Sequence, residues 1–228
     1  MQQDKIWEAY QNDPDLEGMG CRSGGRIEYV ATQVPTGAIV LNIGVGQGKL
    51  ERLLSEKNVK AFSLDPSESS INRIRAMLGV GEEQAKVGYS QDIPFSDNAF
   101  DFVIMTEVLE HLGDDVMRKT LLEVKRVLKK DGKFLGTVPA DENLNASIVV
   151  CPDCGKKFHR WGHLQTFSSD RLNQVLNSVF SSVIVRRRFF VHYPDLNWKG
   201  KISGSIKVIQ AYLDKKGQNQ NFYFKACV

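Results

Sequence analysis

The stretch Val40-Leu41-Asn42-Ile43-Gly44-Val45-Gly46-Gln47-Gly48 decides how this chain folds. Ile39, Val40, Leu41 and Ile43 read as a short buried strand. Three glycines then fall on alternate positions, and Lys49–Lys57 follows with helical spacing. Strand, glycine turn and helix open a nucleotide-binding α/β sheet. Glycine suits the turn because it accepts backbone angles other residues avoid and lets a ligand lie against bare main chain. The spacing is G-x-G-x-G. The dinucleotide fingerprint G-x-G-x-x-G would need a third glycine where Lys49 stands. A tight turn with no ligand would leave the same local pattern, so the flanking elements must decide.

Working outward, Val59–Ser67 reads as a second strand, with Asp65 seventeen residues beyond Gly48. An acid at that strand end accepts hydrogen bonds from both hydroxyls of a bound ribose. It would otherwise cap the next helix, a role open equally to Ser67 or Ser69. A helix over about 68–78 and a strand over about 85–89 come next. Further on, Val116, Met117, Leu121, Val124, Val127 and Leu128 recur at helical spacing and predict a helix over 114–130. Strands are expected at 133–139, within 180–191 and at 222–228, with a helix at 203–215. Arg186, Arg187 and Arg188 alternate across their strand, so they cannot share one face.

Between the third strand and the long helix lies Asp92-Ile93-Pro94-Phe95-Ser96-Asp97-Asn98-Ala99-Phe100-Asp101, then a strand, then Glu107-Val108-Leu109-Glu110-His111-Leu112. With the glycine loop and Asp65, this segment resembles the class I S-adenosylmethionine-dependent methyltransferases. The resemblance implies an α/β fold: a doubly wound, seven-stranded, mostly parallel sheet of Rossmann-like form. It implies S-adenosylmethionine as cofactor. Gly44 and Gly46 match the loop under its methionine part, Asp65 the ribose acid, and Tyr89 and Ser90 the adenine positions. Thr106 and Glu107 match the strand end that lines the active site. Two positions depart from the family pattern. Asn42 stands where an acid is usual and keeps a hydrogen bond without the charge. Tyr89 stands where an acid is common and would offer its ring to the base. Glu107 is then placed to supply the missing negative charge. Glu107 and His111 are the candidate bases for an oxygen or nitrogen acceptor; His111 would otherwise only cap the turn after its strand.

An extra segment, about 142–166, follows the fifth strand. It contains Cys151-Pro152-Asp153-Cys154-Gly155-Lys156-Lys157-Phe158-His159-Arg160-Trp161-Gly162-His163, a C-x2-C-x4-H-x3-H spacing similar to a zinc knuckle. Two thiolates and two imidazoles suit a closed structural zinc site of Cys151, Cys154, His159 and His163. An accidental cluster, with one histidine serving substrate or proton transfer, is the competing reading. Ligands in doubly wound folds bind beyond the carboxyl ends of the strands. The insert should therefore border the methyl acceptor and bring Lys156, Lys157, Phe158, Arg160 and Trp161 with it.

The 228 residues suffice for one large domain with an insert. We expect a single domain over 1–228, with helices over about 1–34 forming a lid; Trp7 would either close over a ligand or pack on the sheet edge. The polar N-terminus shows no signal-peptide pattern and no stretch reaches membrane-spanning length, so a cytoplasmic protein without a membrane partner is expected. Residues 151–228 hold 13 Lys/Arg against 4 Asp/Glu, whereas residues 1–150 are net acidic. That asymmetry suits an acidic partner or a merely solvated basic face. The expected function is methyl transfer to an acidic small molecule. RNA methylation using the knuckle-like insert, or cofactor or RNA binding without catalysis, are the alternatives. Oligomeric state is not legible.

Overall fold

The computed structural model describes residues 6–10 and 25–228. Of the expected N-terminal helix over 3–11, only residues 6–10 (α1) are described. Asn12-Asp13-Pro14, the stretch with Gly18, Gly20 and Gly24, and Cys21 lie outside the described residues. The elements that follow are α2 (Arg26–Thr32), β1 (Ile39–Ile43), α3 (Lys49–Glu56), β2 (Lys60–Asp65), α4 (Glu68–Leu78), β3 (Ala85–Val87) and β4 (Phe100–Thr106). Then come α5 (Asp114–Val127), β5 (Leu128–Pro139), β6 (Ile148–Val150), β7 (Lys157–His159), α6 (Ser169–Asn177), β8 (Ser182–Arg188), α7 (Trp198–Tyr212) and β9 (Asn221–Cys227).

Seven strands form one sheet in the order β3-β2-β1-β4-β5-β9-β8. All neighbours pair in parallel except β9, which runs antiparallel to both β5 and β8. The chain reverses direction across the sheet between β1 and β4, the switch point where such folds bind ligands. β1 is central and flanked on both faces, hence its nearly unbroken apolar run. On one face Val30, Val34, Leu50 and Leu54 pack over Val40, Phe102 and Ile104. On the other, Met117, Leu121, Val124, Leu172 and Leu176 pack over Leu41, Val103, Phe134 and Phe224. These two layers are the doubly wound core expected from the sequence.

Local signals explain most boundaries. Ser67 caps α4 by accepting the Ser70 N–H at 3.3 Å, and Gly79 ends it in the left-handed conformation at φ 65°. α5 stops at Val127, three residues before its expected end, because Leu128 is already extended. Lys129, Lys130 and Gly132 therefore belong to the start of β5, not to a helix terminus. Arg187 is buried, with Asp141 and Asp214 each 2.8 Å from its guanidinium. That pairing ties β8 to the start of the insert, a structural role for one member of the arginine run. β6 and β7 form a separate antiparallel hairpin within the insert.

Candidate active site

A cavity of about 1110 Å³ opens along the carboxyl ends of β1, β2 and β4. Its floor is the glycine loop. Gly44 holds φ 84°, and a β-carbon there would come within 2.6 Å of Val108 Cγ2. Gly46 holds φ 53°, with nothing within 4 Å of such a carbon, so its main chain borders open space. Asp65 ends β2 and is almost fully buried. Its Oδ2 accepts the Val45 N–H at 2.9 Å and its Oδ1 accepts the Ser67 N–H at 2.8 Å. One carboxylate thus pins the glycine loop to the next strand and retains lone pairs toward the cavity. Burial raises its pKa above the ordinary value, opposed by those main-chain donors. Helix capping falls to Ser67, not Asp65.

Asn42 lines the cavity from β1. Its Nδ2 donates to Glu51 Oε1 at 2.7 Å, and Ser63 Oγ donates to the same oxygen at 3.1 Å. Glu51 is wholly buried and its pKa is raised to about 7, chiefly by burial. The acid absent at position 42 is thus replaced from α3, one layer behind. Asn42 Oδ1 is buried with no hydrogen-bond partner, an acceptor fit for a ligand ammonium. Tyr89 lies two residues past β3, half exposed at the cavity rim. Ser90 also lines the cavity, but its hydroxyl lies 2.8 Å from Thr120 Oγ1 on α5.

Thr106 closes β4 and Glu107 follows in the left-handed conformation at φ 55°. For a residue with a β-carbon that backbone is uncommon and turns the side chain toward the site. Glu107 accepts from Asn221 Nδ2 at 3.0 and 3.1 Å and meets Arg26 at 3.4 Å. Its charge is therefore already compensated from α2 and β9. Beside it, Glu110 is fully buried with both carboxyl oxygens unpartnered. Burial, reinforced by Glu107, pushes its pKa well up. His111 Nδ1 lies 3.1 Å from the Gly162 carbonyl. Burial and the neighbouring His163 push the His111 pKa down to about 3, so the ring stays neutral. It holds the insert through Gly162 and also meets the Glu107 main chain in the turn after β4.

The insert does close the other end of the cavity. Glu142, Trp161, His163 and Leu164 line it, with Trp7 of α1 and Phe189 and Phe190 after β8. Trp7 stands edge-on to His111, ring centroids 4.7 Å apart, and Tyr10 tilts against Trp161 at 5.1 Å. Trp7 thus packs over the site and not merely on the sheet edge. Lys156, Lys157, Phe158 and Arg160 are exposed and do not line the cavity, because the hairpin carries them on its outer surface.

The four expected zinc ligands do not come together. Cys151 and Cys154 sit in the turn that joins β6 to β7, whereas His159 ends β7 opposite Ile148, at the hairpin's base. Extended pairing separates tip from base by roughly 3.3 Å per residue. His159 and His163 instead stack at 4.7 Å and share Glu142: His163 Nδ1 is 2.5 Å from Oε2, and His159 Nε2 is 3.7 Å from Oε1. Among the described residues, the clusters with metal-ligand geometry are Glu110-His111-His163 and Glu142-His159-His163; neither contains a cysteine. Glu51, Glu110 and Glu142 also belong to the site, although nothing in the sequence alone assigns them to it. Glu110 stood in the quoted Glu107–Leu112 motif, and Glu51 in the first turn after the glycine loop. For Glu142 there was no local signal.

The sheet order is that of the Rossmann-like methyltransferase fold, with the glycine loop and Asp65 at its switch point. Residues 41–136 match the methyltransferase domain family. Over 101 residues the chain is 35% identical to YrhH of Bacillus subtilis, a protein named as a methyltransferase; the match covers 42% of this chain and 54% of YrhH. The chain spans about half the length, or less, of the curated relatives it matches. Among solved structures, it resembles a chain from the complex of the Haloferax volcanii Trm112 methyltransferase activator with a methyltransferase. There the TM-score is 0.67 at 20% identity, over 97% of this chain and 96% of that one. It also resembles the Burkholderia thailandensis 1,6-didemethyltoxoflavin-N1-methyltransferase, solved with its acceptor and S-adenosylhomocysteine. That TM-score is 0.63 at 15% identity, over 99% of this chain and 86% of that one. At such identities the likeness is one of fold. Among the described residues no helix is long and apolar enough to cross a membrane.

Proposed function

We propose that the chain binds S-adenosylmethionine along Asn42, Gly44, Gly46, Asp65 and Tyr89 and methylates a small molecule held between Glu107, His111 and the insert. The observation that carries this reading is the division of one cavity into two ends. One end has the glycine floor and the Asp65 carboxylate. The other is bordered by Trp7, Trp161, Leu164 and Phe190. The cofactor supplies a methyl group already activated on sulfur, so the protein's task is mainly orientation. Asn42 Oδ1, backed by Glu51, would take the ammonium, and Asp65 the ribose hydroxyls. Gly46 would leave room for the methionine chain. The tryptophans, Leu164 and Phe190 would hold the acceptor's apolar surface. Glu107 is the better candidate base of the two proposed from sequence, because neutral His111 is buried and far from its ordinary pKa.

The exposed lysines and Arg160 lie off the cavity, so they give no support for an acidic acceptor. A recess lined by Trp7, Trp161 and Phe190 favours a small molecule over RNA. Isothermal titration with S-adenosylhomocysteine, followed by a methyl-release assay against a panel of small hydroxyl, amine and thiol acceptors, tests the proposal. One-site cofactor binding with turnover of at least one acceptor is expected. Absence of cofactor binding would defeat it; binding without turnover on any acceptor, RNA included, would leave a binding protein instead of an enzyme.

A further inference from the structure

We propose that Glu110, His111 and His163 bind one divalent transition-metal ion at the acceptor end of the cavity, with Glu142 and His159 as the supporting shell. Each of the three ligands offers an atom within 4.8 Å of the others. The site draws on separated parts of the chain: Glu110 and His111 from the turn after β4, His163 from the insert. The two segments are clamped together by main-chain bonds, with Leu164 N–H and Gln165 N–H donating to the Glu110 carbonyl at 2.9 and 3.3 Å. Both Glu110 carboxyl oxygens and His111 Nε2 are buried without a hydrogen-bond partner. Oε1 and Nε2 stand 4.0 Å apart, too far to satisfy each other. A carboxylate and an imidazole buried together in this way are costly unless something compensates them. A cation between them would satisfy all three atoms.

The hydrogen bonds around the rings determine which nitrogen each presents. His111 Nδ1 faces the Gly162 carbonyl, which cannot donate, so Nδ1 carries the hydrogen and Nε2 offers a lone pair. His163 Nδ1 is engaged by Glu142, which leaves Nε2 for the ion. A carboxylate behind a ligating imidazole is the usual outer-shell arrangement of metal-bound histidine. His159 behaves differently. Its Nδ1 accepts the His163 main-chain N–H at 3.1 Å, so in the neutral ring Nε2 carries the hydrogen and points it toward Glu142. We therefore place His159 behind Glu142, its Nε2 3.7 Å from Oε1, and not among the ligands. Two imidazoles and one carboxylate suit borderline first-row ions, which take such sets with positions left open. His111 and His163 both line the cavity, so the open positions face the acceptor.

The site is tested on the full chain without cofactor or acceptor, so its failure is distinct from failure of the methyltransferase reading. Protein stripped with a chelator is titrated with Co²⁺, Mn²⁺ and Zn²⁺ by calorimetry, and the Co²⁺ form is examined by absorption spectroscopy. We expect about one ion per chain, as for a single three-ligand site. The Co²⁺ spectrum should lack a thiolate charge-transfer band. Glu110→Gln and His163→Gln should abolish tight binding, while Glu142→Gln should weaken it about 10–100-fold, as for other outer-shell partners. Cys154→Ser should bind as the parent does. Circular dichroism and thermal melts check that each variant is folded, and the Co²⁺ spectrum of the unaltered protein needs no variant. No binding of any of the three ions by the parent overturns the proposal. So does a thiolate band, or loss of metal in Cys154→Ser; either would return the ion to a cysteine site.

Discussion

The two ends of the cavity are built in opposite ways. The end proposed to hold the cofactor is made of short consecutive stretches. Gly44, Gly46 and Gly48 follow β1 directly, and Asp65 closes the next strand and reaches back to Val45 across 20 residues. The end proposed for the acceptor is made of distant pieces: Trp7 from α1, Glu107 and His111 after β4, Trp161 and His163 from the insert, and Phe190 beyond β8. The difference teaches where function is written. A repeated fold supplies the cofactor end through its own turns, whereas the acceptor end depends on how separate segments dock.

The largest effect should arise at the buried acid behind the cofactor end. Glu51 has its pKa raised to about 7 in the folded chain from an ordinary 4.5. A raised carboxyl pKa contributes stability below the unfolded value, and that stability is lost as pH rises through the folded value. Between about pH 4.5 and pH 7 the loss should reach about 3 kcal/mol, at 1.36 kcal/mol per unit. Thermal melts across that window should show a decline that Glu51→Gln flattens. An unchanged pH profile in that variant would mean Glu51 is not the neutral partner of Asn42.

Next in size, Asp65→Ala should weaken S-adenosylhomocysteine binding by roughly 1.5–3 kcal/mol, the range for a hydrogen bond to a charged group. The same substitution also frees the Val45 N–H, so a melt should register it too. Gly44→Ala places a β-carbon at positive φ and against Val108. About 1–3 kcal/mol of stability should be lost, or several degrees in Tm. Asp65→Ala acts at the glycine loop, whereas Gly44→Ala also presses on the turn that carries Glu107 and His111.

How much of this was legible in the sequence follows the same division. β1, the glycine loop, Asp65 and the segment through Glu107 are contiguous, and their apolar runs and turn residues specify them locally. The doubly wound, seven-stranded sheet followed from the resemblance they carry. The insert was legible as an insert, and its place beside the acceptor followed from its place after β5. Its metal chemistry was not. C-x2-C-x4-H-x3-H suggests one four-ligand turn, but residues 157–159 pair as a strand and hold the cysteines at the far end from the histidines. The partner of His163 is Glu142, twenty-one residues away, and spacing alone cannot reveal a contact made by docking. The same limit hid Arg26 and Asn221 behind Glu107, whose charge they already balance.

A smaller effect should come from the rim. Tyr89→Phe should bind cofactor as the parent does, while Tyr89→Ala should lose about 1 kcal/mol, the low end for base stacking on an aromatic ring. Equal affinity in all three would remove the ring from the adenine site. At the far end of the scale, Cys154→Ser should change stability by no more than about 0.5 kcal/mol, as for an exposed residue with no special role.

The division itself is tested most directly by calorimetric titration of S-adenosylhomocysteine into three proteins: the parent, Asp65→Ala and Trp161→Ala. The parent should bind one equivalent, as for a single cofactor site. Asp65→Ala should bind at least about tenfold more weakly. Trp161→Ala, altered only at the acceptor end, should bind within about twofold of the parent, since distant sites act nearly independently. Equal affinity of the parent and Asp65→Ala, or a loss in Trp161→Ala as large as in Asp65→Ala, would contradict a cavity with separable cofactor and acceptor ends.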